Sequence, residues 1–200
     1  MRVRVPPMAP LRRATADDYP TVTRVLGRAF ENDPVANWMM KRDHMERAFG
    51  TFFKHSVLPH DEAWLSGDDG VALWTPPGKW NATGLHLLAM APTLLAAVGA
   101  TKLVARARAA QRVSELHPRE PHWYLFAIGV DPAMQGKGIG SSLLRGVLER
   151  CDAEKSAAYL EASTETNARL YERHGFRVTE ELRVAPSAPP MWLMWRAAPE

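Results

Sequence analysis

The sequence contains a single cysteine, Cys151, which excludes a disulfide bond within the chain. Stability therefore has to come from a hydrophobic core, and 200 residues of which 46% are hydrophobic are enough to form one. No neighbour in the sequence would activate Cys151, which argues against a nucleophilic role for its thiol. One cysteine also fits a reducing compartment, so we expect a cytoplasmic protein.

Long apolar runs and a strong charge excess are missing as well. The most apolar stretch, residues 85–98, includes His86 and Pro92 and is shorter than the roughly 20 residues that a membrane-spanning helix needs. Residues 1–13 are basic but lack the apolar segment of a signal peptide. A net charge of +3 is too small to indicate a nucleic-acid-binding protein. We therefore expect neither a membrane nor a nucleic acid as partner.

Two further signals are absent. The 7 histidines are scattered, and no pair of them has the spacing typical of metal ligands, so no metal site is expected. No internal repeat or long low-complexity segment is present, which argues against a repeat architecture.

Strand-like and helix-like patterns alternate along the chain, which is typical of an α/β protein. We expect a flexible tail over residues 1–9 and a single domain over 10–200, with a helical insert at about 80–116 before the central strand. The predicted strands cover residues 11–13, 63–66, 71–75, 123–130, 158–161, 176–184 and 191–196. A first helix is predicted to end near residue 30. Further helices are predicted over residues 42–57, 80–116 with an interruption at Pro92, 139–151 and 166–174. The expected sheet is mixed but mostly antiparallel, has about seven strands and is flanked by helices.

A glycine-rich segment, Gln-Gly-Lys-Gly-Ile-Gly at 135–140, lies between the predicted central strand and a helix. Such a turn can cradle a phosphate, because its N–H groups and the helix dipole attract an anion. The Walker A pattern fails, since Lys137 is followed by Gly138 and position 131 is Asp. The dinucleotide pattern places its third glycine one position later, although Glu161 stands where a ribose-binding acid would. Nicotinamide binding and a purely structural turn therefore remain as alternatives.

The same six residues match Gln/Arg-x-x-Gly-x-Gly/Ala, and this segment resembles the pyrophosphate loop of the GNAT N-acetyltransferase superfamily. Val130-Asp131-Pro132 is similar to the Val-x-Pro that ends the fourth strand of that family. Residues 167–176 resemble its Asn…Tyr-Glu-x-x-Gly-Phe segment, and the resemblance extends over about residues 10–196. It implies a single GNAT-like domain and an acetyl-CoA-dependent N-acetyltransferase.

The resemblance also implies which residues act. The cofactor-binding residues would be Ile128, Gly129, Val130, Gln135, Gly136, Lys137, Gly138, Ile139, Gly140, Ser141 and Asn167. In the family the tyrosine at the position of Tyr171 lies near the thioester sulfur, so Tyr171 is expected to protonate the departing thiolate as general acid. Asn167 and Tyr171 are four residues apart and share a helix face. A helix N-cap for Asn167 and a core aromatic for Tyr171 are the alternatives.

The general base and the acceptor site are less strongly indicated. Glu161 follows an apolar strand and could deprotonate the amine directly or through water, or it could be a structural carboxylate. His122 is a second candidate, although it lies at the opposite end of its predicted strand. Glu31 and Asp33 are expected to attract a cationic amine. Trp38 is expected to border the acceptor cleft, which favours an apolar or aromatic substrate.

Further stretches, residues 117–123 and 160–163, resemble puromycin N-acetyltransferases, but the segment 31–34 departs from them at the acceptor end. We therefore expect the acceptor to be the amine of a small molecule, with antibiotic-like amines among the candidates. The alternatives are an amine on a protein or peptide, and a non-catalytic sensor that binds acyl-CoA. A monomer or a homodimer is expected.

Overall fold

The structure, a computed structural model, describes residues 9–80 and 85–200. Its strands are β1 Leu11–Arg13, β2 Ala63–Ser66, β3 Gly70–Thr75, β4 His122–Val130, β5 Ala157–Ala162, β6 Arg177–Leu182 and β7 Met191–Arg196. Its α-helices are α1 Tyr19–Ala29, α2 Pro34–Met39, α3 Met45–Phe52, α4 Leu85–Val98, α5 Leu103–Leu116, α6 Ile139–Ala153 and α7 Glu165–Glu172.

The strands form one seven-stranded sheet in the order β1-β2-β3-β4-β5-β7-β6. Strand β4 is in the middle of the sheet, antiparallel to β3 and parallel to β5. The other neighbouring strands pair antiparallel. The prediction of a single α/β domain with a mixed, mostly antiparallel seven-stranded sheet is confirmed.

Helices cover both faces of the sheet, because side chains along each strand alternate between the two faces. On one face, α6 and α7 bury Leu143, Leu144 and Tyr171 against Trp123 and Leu125 of β4. The core on the other face joins α1 and α3 to the sheet and contains Val22, Val25, Leu26, Met45, Phe49, Phe53, Leu65, Val71, Leu73 and Ala127. Each face therefore has its own hydrophobic core.

Two helix starts show how local sequence positions the site. The backbone N–H of Thr15 donates to Asp18 at 2.8 Å, and this reciprocal cap fixes the turn that leads into α1. Asp33 caps α2 by accepting a hydrogen bond from the Ala36 N–H at 2.8 Å, with Pro34 at the first helical position. The turn expected at Asn32-Asp33-Pro34 is thus also the start of α2, a helix that the hydrophobic pattern did not predict.

The interruption expected at Pro92 is wrong, because α4 continues through that residue. The chain breaks instead at Gly99, whose φ of 79° lies in the left-handed region that glycine tolerates. At this helix end the Lys41 N–H donates to the Ala97 carbonyl at 2.8 Å, which satisfies one of the carbonyls that a helix terminus exposes. Residues 1–8 of the expected tail and residues 81–84 of the expected insert lie outside the described residues.

Within the described ranges, no single helix is long and apolar enough to cross a membrane. Helix α4 and the segment Ala100–Leu116 would satisfy the criteria of length and composition together, and the two are bent by 95° at their junction.

The core between α6 and the sheet gives a direct test of the fold. Leu143 is fully buried there, so Leu143→Ala should lower the free energy of unfolding by about 2–5 kcal/mol through lost burial and a residual cavity. The exposed Glu149→Ala on the same helix should change it by less than about 0.5 kcal/mol. Urea denaturation followed by circular dichroism measures both. Equal effects of the two substitutions would contradict the packing described for α6.

Candidate active site

The site begins where β4 and β5 separate. The two parallel strands pair from His122 and Ala157 as far as Leu125 and Leu160, and beyond that point the ladder ends. The backbone of residues 126–130 therefore has an open edge on the side of β5. Both strands end at this gap, and the glycine loop follows β4 while α7 follows β5. Carboxyl ends of parallel strands are a common place for ligand binding.

The glycine loop is shaped by backbone geometry. Gly136 and Gly138 have φ values of 76° and 85°, which side chains with a Cβ rarely adopt. Gly138 is the N-cap of the fifteen-residue helix α6, so the loop presents that helix's free N–H groups toward the gap. The Gln135 side chain donates to the Val130 carbonyl at 3.1 Å and ties the loop to the strand end.

A groove of about 550 Å³ follows this loop, and we call it the donor groove. It is lined by Ala29, Phe30, Asp33, Ile128, Gly129, Val130, Met134, Gln135, Gly136, Gly138, Ile139, Gly140, Ser141, Thr166, Asn167, Leu170, Tyr171 and Arg173. A Cβ at Gly136 would meet no protein atom within 4 Å, and one at Gly140 would only touch Val130 at 3.7 Å. Packing within the protein does not require these two glycines, so the space kept free beside them fits a pyrophosphate.

A second cavity of about 330 Å³ adjoins this groove, and we call it the acceptor cavity. Its walls are mainly apolar and aromatic, and its lining includes Phe30, Val35, Trp38, Met39, Met40, Phe49, Phe52, Val113, Tyr124, Phe126, Glu161 and Met191. The donor groove and the acceptor cavity share Phe30, Asp33, Ile128, Asn167 and Tyr171. A ligand in one can therefore meet a ligand in the other at these five residues.

Helix α7 brings Asn167 and Tyr171 to this junction. The helix begins at Thr164, whose hydroxyl accepts a hydrogen bond from the Asn167 N–H at 3.1 Å. The N-cap alternative for Asn167 is therefore wrong. Tyr171 is only 7% exposed, and burial together with the charge of Asp33 raises its pKa. Its hydroxyl consequently stays protonated across the neutral pH range.

Asp33 and Glu161 are the acids that line the acceptor cavity. Asp33 accepts a short hydrogen bond from the Ser163 hydroxyl with one oxygen and caps α2 with the other. Glu161 accepts a hydrogen bond from the Tyr124 hydroxyl at 2.8 Å. Its side chain is 10% exposed, and its second oxygen has no hydrogen-bond partner among the described residues.

Two predicted site residues point elsewhere. The Lys137 ammonium turns back to the Ala133 carbonyl at 3.4 Å, and Lys137 is not among the groove-lining residues. Glu31 is exposed, lies 3.9 Å from Arg42 and lines neither described cavity. Trp38 does line the acceptor cavity, with the Arg106 guanidinium 3.3 Å from the centre of its ring.

Several residues near the site were not predicted. Tyr124, Ser163 and His117 contact the acids of the acceptor cavity, and the sequence analysis assigned no role to any of them. The signal for Tyr124 was present, because a tyrosine within an otherwise apolar central strand needs a partner for its hydroxyl. Cys151 is buried away from this region, and burial raises its pKa to about 12, so its thiol is inert.

No three His, Cys, Asp or Glu side chains converge to hold a metal ion within residues 9–80 and 85–200.

Comparison with known proteins identifies the family. A model described as "Acetyltransferase (GNAT) family" matches residues 40–176. The chain is 28% identical over 190 residues to an uncharacterized N-acetyltransferase of Schizosaccharomyces pombe, across 82% of this chain and 73% of the relative.

Two solved structures show the same fold. The crystal structure of histone acetyltransferase HPA2 and related acetyltransferase from Corynebacterium glutamicum has a TM-score of 0.72 at 24% identity, over 96% of this chain and 97% of that chain. A polyamine N-acetyltransferase of Drosophila melanogaster has a TM-score of 0.58 at 15% identity, over 94% and 99%. With a family model that matches well over half of its length, the chain belongs to the acetyltransferase (GNAT) family.

Proposed function

We propose that the protein transfers an acetyl group from acetyl-CoA to the amine of a small molecule, by direct attack of the amine. The observation that carries the proposal is the junction of the donor groove with the acceptor cavity at Asp33, Ile128, Asn167 and Tyr171. Direct transfer needs both substrates at one point, and holding them there supplies much of the rate enhancement.

The donor groove accounts for binding of acetyl-CoA. The N–H groups of residues 136–141 and the dipole of α6 offer an anion site for its pyrophosphate. The open edge of β4 over residues 126–130 offers hydrogen bonds to an extended arm. When bound, acetyl-CoA supplies an acetyl group activated as a thioester. The Val130 N–H is the expected donor to the acetyl oxygen, where negative charge develops.

The lining of the acceptor cavity favours a cationic amine with an apolar or aromatic body. Phe30, Trp38, Phe49 and Phe126 supply the apolar walls. Asp33 and Glu161 supply negative charge, which attracts an ammonium group. A cavity of about 330 Å³ is the size of a small molecule, which favours this substrate class over a protein segment. Antibiotic-like amines fit the same description, although segment 31–34 differs from puromycin N-acetyltransferases.

Tyr171 is the proposed general acid. It lies at the junction and keeps its proton, because burial and the charge of Asp33 raise its pKa. Donation from a phenol to a thiolate is uphill, since a typical thiol has a pKa of about 8.5. The hydroxyl therefore stabilises the developing thiolate by a hydrogen bond, and complete transfer is balanced by a proton that the amine nitrogen gives up. The ammonium nitrogen loses two protons in all, and Glu161 is the proposed base for the other one, because it has an oxygen without a hydrogen-bond partner among the described residues.

A panel of amines tests the function. With acetyl-CoA present, release of free thiol should be detected with small apolar, arylalkyl or polyamine substrates, and mass spectrometry should show amide products. Peptides with a free N-terminus or lysine should react much more slowly. Acetylation of peptides alone would favour the protein-modifying alternative. Binding of acetyl-CoA without acetylation of any amine would favour the non-catalytic sensor.

Removal of the Tyr171 hydroxyl tests the proposed role of this residue as general acid. Tyr171→Phe should bind acetyl-CoA with nearly unchanged affinity and lower kcat by about 10²- to 10⁴-fold, the usual contribution of a general acid. Calorimetry and the thiol assay measure the two quantities. The control is Tyr19→Phe, a tyrosine outside both cavities, which should retain full activity. Unchanged turnover of Tyr171→Phe would remove this residue from the mechanism.

A substitution of Gly140 tests whether the donor groove binds acetyl-CoA. A Cβ at this position makes only an ordinary contact with Val130, and alanine favours a helix by about 1 kcal/mol over glycine. Gly140→Ala should therefore keep or raise the melting temperature while weakening acetyl-CoA binding about tenfold, the effect of losing 1.4 kcal/mol. Ser142→Ala, two residues along and outside the groove lining, should leave the affinity unchanged. Equal affinities of Gly140→Ala and the parent chain would contradict pyrophosphate binding beside this glycine.

A further inference from the structure

A third cavity, of about 530 Å³, lies beside two histidines, and we call it the histidine cavity. It is lined by His117 and His122 together with Trp80, Ser114, Glu120 and neighbouring residues. Nδ1 of His117 lies 3.8 Å from the Glu161 oxygen that has no hydrogen-bond partner among the described residues. A buried carboxylate that lines the acceptor cavity is therefore in reach of an imidazole that lines the histidine cavity.

The tautomers of the two histidines follow from one backbone carbonyl. Nδ1 of His122 lies 2.6 Å from the Glu120 carbonyl, which can only accept, so this nitrogen carries a proton. Burial lowers the pKa of His122 despite that hydrogen bond, so at neutral pH its Nε2 is unprotonated and accepts. Nε2 of His117, 2.9 Å away, must then be the donor. A neutral His117 consequently has its lone pair on Nδ1, toward Glu161.

This arrangement places two proton acceptors opposite each other in a buried site. A lone pair on Nδ1 and a carboxylate oxygen repel when both are unprotonated, whereas one proton between them satisfies both. The 3.8 Å separation exceeds a hydrogen bond, but catalytic contacts are often long before substrate binds and tighten afterwards. The pair is thus arranged to receive one proton from outside.

We propose that Glu161 and His117 together act as the base for the acceptor amine and hold between them the one proton that the amine releases, with His122 fixing the tautomer of His117. This inference rests on the acetyl transfer proposed above. Glu161 lines the acceptor cavity and is the catalytic residue of the pair. His117 and His122 act through it and are positioning residues.

The proton balance is as follows. An N–H bond of the ammonium breaks, the proton goes to Glu161, and the freed lone pair attacks the acetyl carbon. The proton then passes from Glu161 to Nδ1 of His117, and the pair releases one proton to water in the histidine cavity. The amine nitrogen also loses a second proton, which replaces on Tyr171 the proton that this residue gives to the thiolate. Ammonium and thioester thus yield amide, thiol and one released proton.

The surroundings do not supply a competing base. The phenols of Tyr124 on β4 and Tyr159 on β5 face the pair, and burial raises the pKa of both, so they stay neutral. The other charged groups around this cluster are the carboxylates of Glu120, before β4, and Glu180, on β6, together with Glu115 and Arg119 in the lining of the histidine cavity. Trp80 stacks on His117 at 3.7 Å between ring centres and holds the imidazole in place.

The pH dependence of kcat/KM tests the proposal. A base has to lose its proton before it can act, so activity of the parent chain should rise with pH through an inflection that belongs to the pair and not to either residue alone. His117→Gln retains an N–H donor but no basic nitrogen. It should move the inflection down by about one pH unit or more and lower the plateau about tenfold or more.

His44→Gln, a histidine on the surface beside Asp43, should leave the profile of the parent chain unchanged. A merely structural role for His117 would lower activity at every pH without moving the inflection, and that result would overturn the proposal. His122→Gln should shift the inflection in the same direction as His117→Gln, because the tautomer is then no longer fixed.

Nitrogen-15 NMR of the histidine rings provides a test that needs neither substrate nor a His117 variant. At pH 8 the parent chain should show His117 with its proton on Nε2, and Glu161→Gln should change the ring nitrogen shifts of His117 more than those of His44. A proton on Nδ1 at that pH, or unchanged His117 shifts in Glu161→Gln, would overturn the proposed pair. If the NMR result holds but no amine is acetylated, the pair stands and the acetyl transfer fails. If amines are acetylated but the pH profile of His117→Gln matches the parent chain, only the two-part base fails.

Discussion

The separation of β4 and β5 after Leu125 and Leu160 is the constraint on which the rest of the site depends. A central strand normally pairs along both edges, because unpaired backbone groups in a protein interior are costly. Here the edge of residues 126–130 is left for other partners, and one of its carbonyls is already taken by the Gln135 side chain. The gap also sets where the helices start. Since α6 follows β4 and α7 follows β5, both helix N-termini lie at the same opening.

Asp33 links the acceptor side of the protein to this opening. One of its oxygens starts α2, and the other accepts from Ser163 just beyond the end of β5. The loop after α1 is thereby fixed against the far strand of the gap. Burial raises the pKa of Tyr171, and the charge of the same carboxylate adds to that effect. A single side chain thus fixes the acceptor loop and helps to keep the proton on the tyrosine at the junction.

Local sequence signals predicted the fold and the donor side, because those features depend on neighbours in the chain. The glycine loop needs positive φ at Gly136 and Gly138, and the spacing of Asn167 and Tyr171 reflects one helical turn. The acceptor side depends on contacts between distant segments, such as His117 with Glu161 or Asp33 with Ser163. No periodicity encodes such contacts. Lys137 was assigned to the site from its place in the loop motif and Glu31 from its place in the acceptor loop, and position in a loop does not determine the direction of an exposed side chain.

The two faces of β4 and β5 also differ in the polarity of their side chains. Trp123, Leu125 and Leu160 pack into an apolar core on one face. The other face carries Tyr124, Tyr159, Glu161 and His122, although burial of polar groups is unfavourable unless they are hydrogen-bonded. One Glu161 oxygen and the Tyr159 hydroxyl have no hydrogen-bond partner among the described residues. A sheet selected only for stability would have apolar residues here. An ionised Glu161 carboxylate can only accept a hydrogen bond, so whatever satisfies its free oxygen has to supply a proton. In the acetyl transfer proposed above, that proton comes from the acceptor ammonium and is held between Glu161 and His117, whereas a neutral apolar ligand has no proton to give.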